Sequence, residues 1–163
     1  GWAPGDYTQM GYSENPAGKQ NEFKKMLAQL PADKPFFFWF GTHDPHRTFP
    51  FGRGRESGID LSSLEVPAFL PDVPEIRGDL ADYIFLIQRL DAEVGDLLSA
   101  LEQSGRLENT IIVMTSDNGM PFPHAKANLY DYGTHMPLII SSFSNQVQQN
   151  KRNDSFVNLI DLT

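Results

Sequence analysis

A long amphipathic segment between Pro74 and Ser104 is the feature that most constrains how this chain folds. Its apolar residues recur at steps of three and four, and Gly105 stands where a helix would stop. These apolar positions are Leu80, Tyr83, Ile84, Ile87, Leu90, Val94, Leu97, Leu98 and Leu101. The pattern predicts one long α-helix that buries a continuous face against other elements.

Short apolar runs on both sides of this segment predict β-strands. Residues 36–40 (FFFWF) and 110–115 (TIIVMT) show no alternation, which is typical of strands covered on both faces. Residues 136–140 (MPLII) predict a third strand, and residues 16–30 predict a shorter amphipathic helix that ends before Pro31. The order strand, helix, strand predicts an α/β fold with a mostly parallel central sheet flanked by helices.

Two stretches without periodicity separate these elements. Residues 42–74 hold many Pro and Gly residues and predict a long loop, and loops of that length in compact domains are usually functional or disordered. We interpret this one as functional. Residues 144–153 are polar and predict a surface loop.

The composition excludes several classes of function. With 13 basic and 21 acidic residues the net charge is −8, which argues against a general nucleic-acid or anionic-membrane surface. Any anion must therefore be bound locally. The absence of Cys excludes disulfides, thiolate metal sites and a Cys nucleophile within these residues. No apolar run approaches the roughly 18 to 20 residues that span a bilayer.

A carboxylate and an amide follow directly on the strand predicted at 110–115. Asp117 and Asn118 lie at its carboxyl end, where ligands bind in open α/β sheets. They would point to opposite faces of a continuing strand, so both reach one ion only if the chain turns at once, as Gly119 and Pro121 allow. Their oxygens suit Ca²⁺ or Mg²⁺, with further ligands from elsewhere. The alternative is an Asn-Gly turn with an Asp cap.

A second polar cluster, Thr42 to Arg47 (THDPHR), follows the predicted aromatic strand in the same way. His46 is the better candidate for a general acid, whereas His43 packs or caps the strand end in the alternative reading. Arg47 suits planar or tetrahedral oxyanions.

Two further basic segments are weaker candidates. Lys126 can return over the loop toward anything bound by Asp117 and Asn118, or it is an ordinary surface lysine. Residues 52–55 (GRGR) have the composition of an oxyanion cradle, but most such loops are merely solvated, so they are left out of the site.

Taken together, these segments resemble the sulfatase family of the alkaline-phosphatase-like superfamily, in particular its heparan N-sulfatase branch and bacterial relatives. The resemblance rests on FFFWFGTHDPHR, IRGDLADYIFLIQRLDAEVG, TIIVMTSDNGMPFPHAKANLYDYG and MPLII, in that order. It covers about residues 35 to 163, and the SDNG-x-PFP block with its following basic residue and LY is the specific part.

The resemblance implies that residues 1–163 are an internal portion of a catalytic domain with an alkaline-phosphatase-like sandwich fold. It implies Ca²⁺, in preference to Mg²⁺, held by Asp117, Asn118 and two Asp residues near the family's amino terminus. It also implies a formylglycine nucleophile made from a C/S-x-P-S-R motif. This sequence holds neither the early Asp pair nor that motif, so both are expected in a missing amino-terminal part.

The resemblance also implies roles for four side chains. His46 matches the histidine that contacts the scissile sulfate and leaving group, and Lys126 matches the basic residue that binds sulfate oxygens. Asp44 and Arg47 match neighbouring positions that read the sugar. The implied substrate is a sulfated sugar or glycosaminoglycan, hydrolysed at a sulfuric ester or sulfamate, and the implied compartments are periplasmic, secreted or lysosomal.

Two alternatives stay open. One is a phosphate or phosphonate ester hydrolase of the same superfamily, and the other is a non-catalytic fragment that binds sulfated glycans. In the first interpretation these 163 residues alone are expected to be inactive, because the nucleophile and half of the metal ligands are absent.

Overall fold

A computed structural model describes residues 16–144 and 150–162 of the chain. The helices and strands are, in chain order, α1 (Pro16–Gln29), α2 (Arg53–Glu56), α3 (Pro74–Gln103), β1 (Ile111–Thr115), α4 (Asp131–Thr134) and β2 (Leu138–Ser142). Short 3₁₀ helices occupy Leu61–Ser63, Leu107–Asn109 and Leu159–Leu162. Across the described ranges, no helix is both long and apolar enough to cross a membrane.

Helix α3 is the scaffold of the fold, and its prediction from sequence is confirmed to within one residue. It begins with Pro74, whose missing N–H costs nothing at a helix start. It ends where Gly105 adopts a φ of 70°, the left-handed region that favours glycine, and donates to the carbonyl of Glu102 at 2.9 Å. One half of α3 packs against α1, and the other half lies under the long loop.

Helix α1 packs its apolar face on the C-terminal half of α3. The buried residues of this cluster are Phe23, Leu27, Ala100 and Leu101. Arg106 closes the end of α1, because its Nη2 donates to the carbonyls of Leu30 at 2.9 Å and Pro31 at 2.8 Å. Both carbonyls lie just beyond the last helical residue, and the Pro31 carbonyl also accepts from the Lys34 N–H at 3.1 Å.

The aromatic segment 36–40 differs from its prediction. The structure assigns no strand there, and the segment belongs to no sheet with β1 or β2. Its side chains alternate: Phe38 packs on Phe23 in a tilted arrangement with ring centroids 4.4 Å apart, whereas Phe37 and Trp39 are exposed. The prediction of cover on both faces is therefore wrong for the described residues, since α1 and α3 cover one face only.

Strands β1 and β2 form an antiparallel pair in which Val113 lies opposite Ile140. Both strands appear close to where the sequence places them. The mostly parallel sheet is not seen among the described elements, which include only this pair, and it stays a prediction. The connection between the strands, residues 116–137, carries the Asp117–Asn118 turn and α4.

The long loop 42–74 is ordered by contacts to α3. The buried carboxylate of Asp82 accepts hydrogen bonds from the backbone N–H groups of Gly52 at 2.8 Å and Gly54 at 2.7 Å. A Cβ on Gly54 would lie 2.2 Å from a backbone carbon of Ala81, so only glycine fits there. Two N–H groups of the GRGR segment thus bind an internal carboxylate. Further along the loop, Arg77 Nη1 donates to the Leu61 and Leu64 carbonyls.

An apolar cluster fills the space between this loop and α3. Its buried members are Phe49, Leu70, Leu80, Leu86 and Phe122. Tyr83 packs against two of these rings, with centroids 5.8 Å from Phe49 and 5.7 Å from Phe122, and burial raises the pKa of its hydroxyl. The long loop, α3 and the loop after β1 thus share one apolar core.

Candidate active site

The segment 42–47 forms a tight turn that exposes two imidazoles. The His46 N–H donates to the His43 carbonyl at 2.8 Å, and the two rings lie 5.0 Å apart. His46 Nδ1 contacts the carbonyl of Arg47.

Asp44 belongs to this turn, and its side chain is largely buried. Its side chain is 9% exposed, and its Oδ2 lies 3.1 Å from Nη2 of Arg89. That distance makes an ion pair, but the geometry is not that of a hydrogen bond, and nothing else in the described structure donates to this oxygen. Asp44 therefore presents a buried acceptor oxygen with unused capacity.

Arg47 joins three parts of the molecule. Its Nη1 and Nη2 form a bidentate pair with the carboxylate of Asp79 on α3, and its Nε donates to the carbonyl of Pro121 at 3.0 Å. The guanidinium carbon lies 4.3 Å from the ring centroid of Phe49 and 4.9 Å from that of Phe122. The turn at 42–47 is thereby held beside the loop that follows β1.

Asp79 belongs to a polar face of α3 that sequence analysis missed. This polar face consists of Asp79, Asp82, Arg89 and Glu93, spaced so that all four lie on one side of the helix.

Each residue of the polar face holds part of the loop. Asp79 binds Arg47, Asp82 binds the backbone at residues 52 and 54, Arg89 pairs with Asp44, and Glu93 accepts from the Thr42 hydroxyl at 3.3 Å. Asp82 and Glu93 are buried despite their charge. The available signal was the spacing of charged residues within an otherwise apolar helical pattern.

The Asp117–Asn118 pair lies where β1 ends and the chain bends. Asn118 Nδ2 donates to the Gly119 carbonyl at 3.0 Å, which leaves its Oδ1 as the free ligand atom. Asp117 is exposed, and no side chain or backbone group of the described ranges pairs with its carboxylate. A Cβ on Gly119 would lie 2.0 Å from the Tyr132 carbonyl oxygen, so glycine is required for the turn.

These two oxygens fit a hard cation such as Ca²⁺, because they are unused and belong to adjacent residues at a bend. They cannot complete a coordination shell alone. Within the described residues, no group of three or more His, Cys, Asp or Glu side chains is placed to hold a metal. Further ligands would have to come from outside this part of the chain.

The backbone at Lys126 folds back toward the end of β1. Its N–H donates to the Met120 carbonyl at 3.0 Å, two residues beyond Asn118. The Lys126 side chain is half-buried, and Ala125 beside it is fully buried. The structure thus brings the backbone of Lys126 near the Asp117–Asn118 turn. Together with the Arg47–Pro121 hydrogen bond, this places the segment 42–47 in contact with the loop that carries Asp117, Asn118 and Lys126.

Comparison with known proteins agrees with the family resemblance seen in the sequence. A family model described as Sulfatase matches residues 6–163. The chain is 37% identical over 161 residues to human N-sulphoglucosamine sulphohydrolase, and the match covers 85% of this chain and 32% of that protein. It is 42% identical over 65 residues to an N-acetylglucosamine-6-O-sulfatase of Bacteroides thetaiotaomicron, a match that covers 37% of this chain and 12% of that protein.

The architecture also resembles a solved structure. A Bacteroides fragilis protein described as a candidate sulfatase superposes with a TM-score of 0.59 at 24% identity, over 79% of this chain and 30% of that one. This similarity shows the fold, an alkaline-phosphatase-like α/β architecture. The chain spans about a third of the length of the human relative it matches.

Proposed function

We propose a function from the premise that this chain belongs to the sulfatase family, as the match over residues 6–163 shows. The chain is, in this proposal, an internal part of the catalytic domain of an enzyme that hydrolyses a sulfuric ester or sulfamate on a sugar. The names of the two relatives support a sulfated glucosamine as the substrate type. The β1–β2 pair would belong to a mostly parallel sheet that the rest of the domain completes.

The proposal gives His46 the role of general acid. Its Nδ1 lies beside the Arg47 carbonyl, so in this proposal the transferred proton would leave from Nε2. Departure of a sugar oxygen or nitrogen requires that proton, because an alkoxide or amide anion is a poor leaving group.

Lys126 would bind the sulfuryl oxygens. Its ammonium provides a positive charge where negative charge grows in the transition state, which is the type of interaction that accelerates a reaction. The overall charge of −8 does not oppose this, since only the pocket must be positive.

Asp117 and Asn118 would hold Ca²⁺ through the carboxylate and Oδ1. When bound, the cation supplies charge neutralisation at a sulfuryl oxygen. The nucleophile, a formylglycine in this proposal, and the remaining ligands are expected in a part of the protein outside these 163 residues.

Asp44 and Arg47 differ in what they can offer a sugar. The Oδ2 of Asp44 is buried beside Arg89 and has no hydrogen-bond donor in the described structure, so a sugar hydroxyl or amine would reach it only after a local shift of the turn. Arg47 has five N–H groups, of which three serve Asp79 and Pro121. Any contact of Arg47 with substrate would use the remaining two.

One observation carries the proposal. In a sulfatase-family chain, the Arg47–Pro121 hydrogen bond holds the His46 turn against the loop of Asp117 and Lys126. In this proposal, the two clusters that the sequence singled out would therefore be parts of one site.

Leaving-group dependence tests the role of His46 in the complete protein. His46→Gln should slow hydrolysis of an N-sulfated or O-sulfated glucosamine by roughly 100-fold or more, because proton transfer typically contributes 10²–10⁴. An aryl sulfate should lose much less, since a phenolate leaves without a proton. His43→Gln, a neighbouring exposed imidazole, is the matched control. Equal losses on both substrates would remove the general-acid role from His46.

A further inference from the structure

Four aromatic rings form a connected group beside the Asp117–Asn118 turn. His124 lies 5.6 Å from Phe69 and 5.0 Å from Tyr130, and Phe69 lies 5.0 Å from Tyr132, as measured between ring centroids. We call these residues the aromatic platform. Phe69 comes from the long loop and is partly buried against the apolar core, so it anchors the other three.

Within the part of the chain that the structure describes, the outer rings of this platform are exposed. Tyr130 is 58% exposed and Tyr132 is 48% exposed, and His124 is exposed as well. Aromatic rings on a surface that carry hydroxyl or imidazole groups can pack against an apolar face while they bond to polar groups. Single exposed apolar residues are normal, whereas a contiguous group of exposed rings is a candidate binding surface.

The backbone holds these rings in fixed places. The Tyr130 carbonyl accepts from Gly133 at 2.8 Å and from Thr134 at 3.1 Å, where α4 begins. The Tyr132 carbonyl lies against Gly119 so closely that no Cβ fits between them. His124 adopts a φ of 59°, which is uncommon for a residue with a side chain. The platform is thus attached directly to the turn that carries the candidate metal ligands.

We propose that the aromatic platform binds a sugar ring of the sulfated glycan, adjacent to the ring whose sulfate is hydrolysed. This inference rests on the proposed function. The rings are tilted against one another by 49° to 78°, so the apolar C–H face of a pyranose would pack on one ring at a time. The tyrosine hydroxyls can bond to sugar hydroxyls. Lys126, two residues from His124, gives the same loop a positive charge that suits an anionic glycan.

A substrate comparison in the complete protein tests the platform. Tyr130→Ala should raise KM for a heparin-derived sulfated disaccharide by roughly two- to tenfold, the size expected from one ring contact. The KM and kcat for an aryl sulfate, which has no sugar, should stay unchanged. Tyr130→Phe should keep most of the affinity. Phe51→Ala is the matched control, because Phe51 is 98% exposed and lies outside the platform.

The outcomes separate the platform from the proposed activity. Wild-type turnover with identical KM values in Tyr130→Ala, or a loss that is equal on both substrates, overturns the platform. If the wild type hydrolyses neither substrate, the proposed function fails, and calorimetric titration with the disaccharide still decides the platform. Binding that Tyr130→Ala weakens and Phe51→Ala does not weaken would support it, and the absence of binding would overturn it.

Discussion

Removal of the Arg47 side chain should cost much more than removal of its ionic partner Asp79. Both side chains of the pair are partly exposed, 42% and 33%, so solvent screening limits the ion pair to about 1 kcal/mol. Asp79→Ala should lower the free energy of unfolding by about that amount. Arg47→Ala also removes the charged hydrogen bond to Pro121 and the contacts over Phe49 and Phe122, so we expect about 3 kcal/mol.

The same substitution should affect catalysis through position. Without Arg47, the His46 turn is no longer fixed to the loop after β1, and a displacement of about 1 Å can cost on the order of 100-fold in rate. Arg47→Lys keeps the charge but loses the bidentate geometry, so it should recover only part of the activity.

Urea denaturation and steady-state kinetics of the complete protein measure both effects. A double-mutant cycle with Arg47→Ala and Asp79→Ala isolates the coupling between the two side chains. Arg53→Ala is the control, because it removes an exposed ion pair with Glu56 within α2 and a more distant ring contact, 5.6 Å from the Phe85 centroid, without a link to the loop after β1. Equal costs for Arg47→Ala and Asp79→Ala, or unchanged kinetics in Arg47→Ala, would refute the reasoning.

Three further predictions concern single side chains. Lys126→Ala should lower kcat/KM by roughly two orders of magnitude with little change in the thermal midpoint, and unchanged kinetics would take Lys126 out of the site. Gly54→Ala should destabilise the fold by at least about 3 kcal/mol, because the new Cβ meets the backbone of α3. Gly78→Ala has open space around it and should stabilise the fold by about 0.5–1 kcal/mol. The urea midpoints of the two variants test this contrast. The hydrogen bond from Arg77 lowers the pKa of Asp72, so Asp72 stabilises the fold above its ordinary pKa of about 3.9 and loses that contribution as the pH falls through the lowered value. Denaturation at a series of pH values should therefore show Asp72→Asn weaker than wild type at neutral pH and equal to it in strong acid.

The elements with local signals were predictable from sequence. Helix α3 carries its periodicity, its proline start and its glycine stop within its own residues, so its bounds were found to within one position. The environment of segment 36–40 was not predictable, because elements far away in the chain decide whether one or both of its faces are covered. The antiparallel pairing of β1 and β2 was not predictable for the same reason, since no residue of either strand specifies its neighbour.

The candidate site likewise contains residues with a local sequence signal and residues without one. Asp117, Asn118 and His46 stood out because polar residues at strand ends are unusual beside apolar runs. The polar face of α3 did not stand out, because charged residues on a helix normally point to water. Asp82 is buried only because the loop at 52–54 folds over it and donates two N–H groups. That contact connects residues 28 and 30 positions apart, which no local pattern reveals.

Release of inorganic sulfate by the complete protein tests the central claim most directly. Ion chromatography would follow N-sulfated glucosamine and 6-O-sulfated N-acetylglucosamine, with 4-nitrophenyl phosphate as the competing ester. We predict sulfate release from at least one sugar, a loss of roughly 100-fold or more in Asp117→Ala, and little phosphate release. Hydrolysis of the phosphate ester in preference to both sulfated sugars, or no release from any of the three, would contradict the assignment.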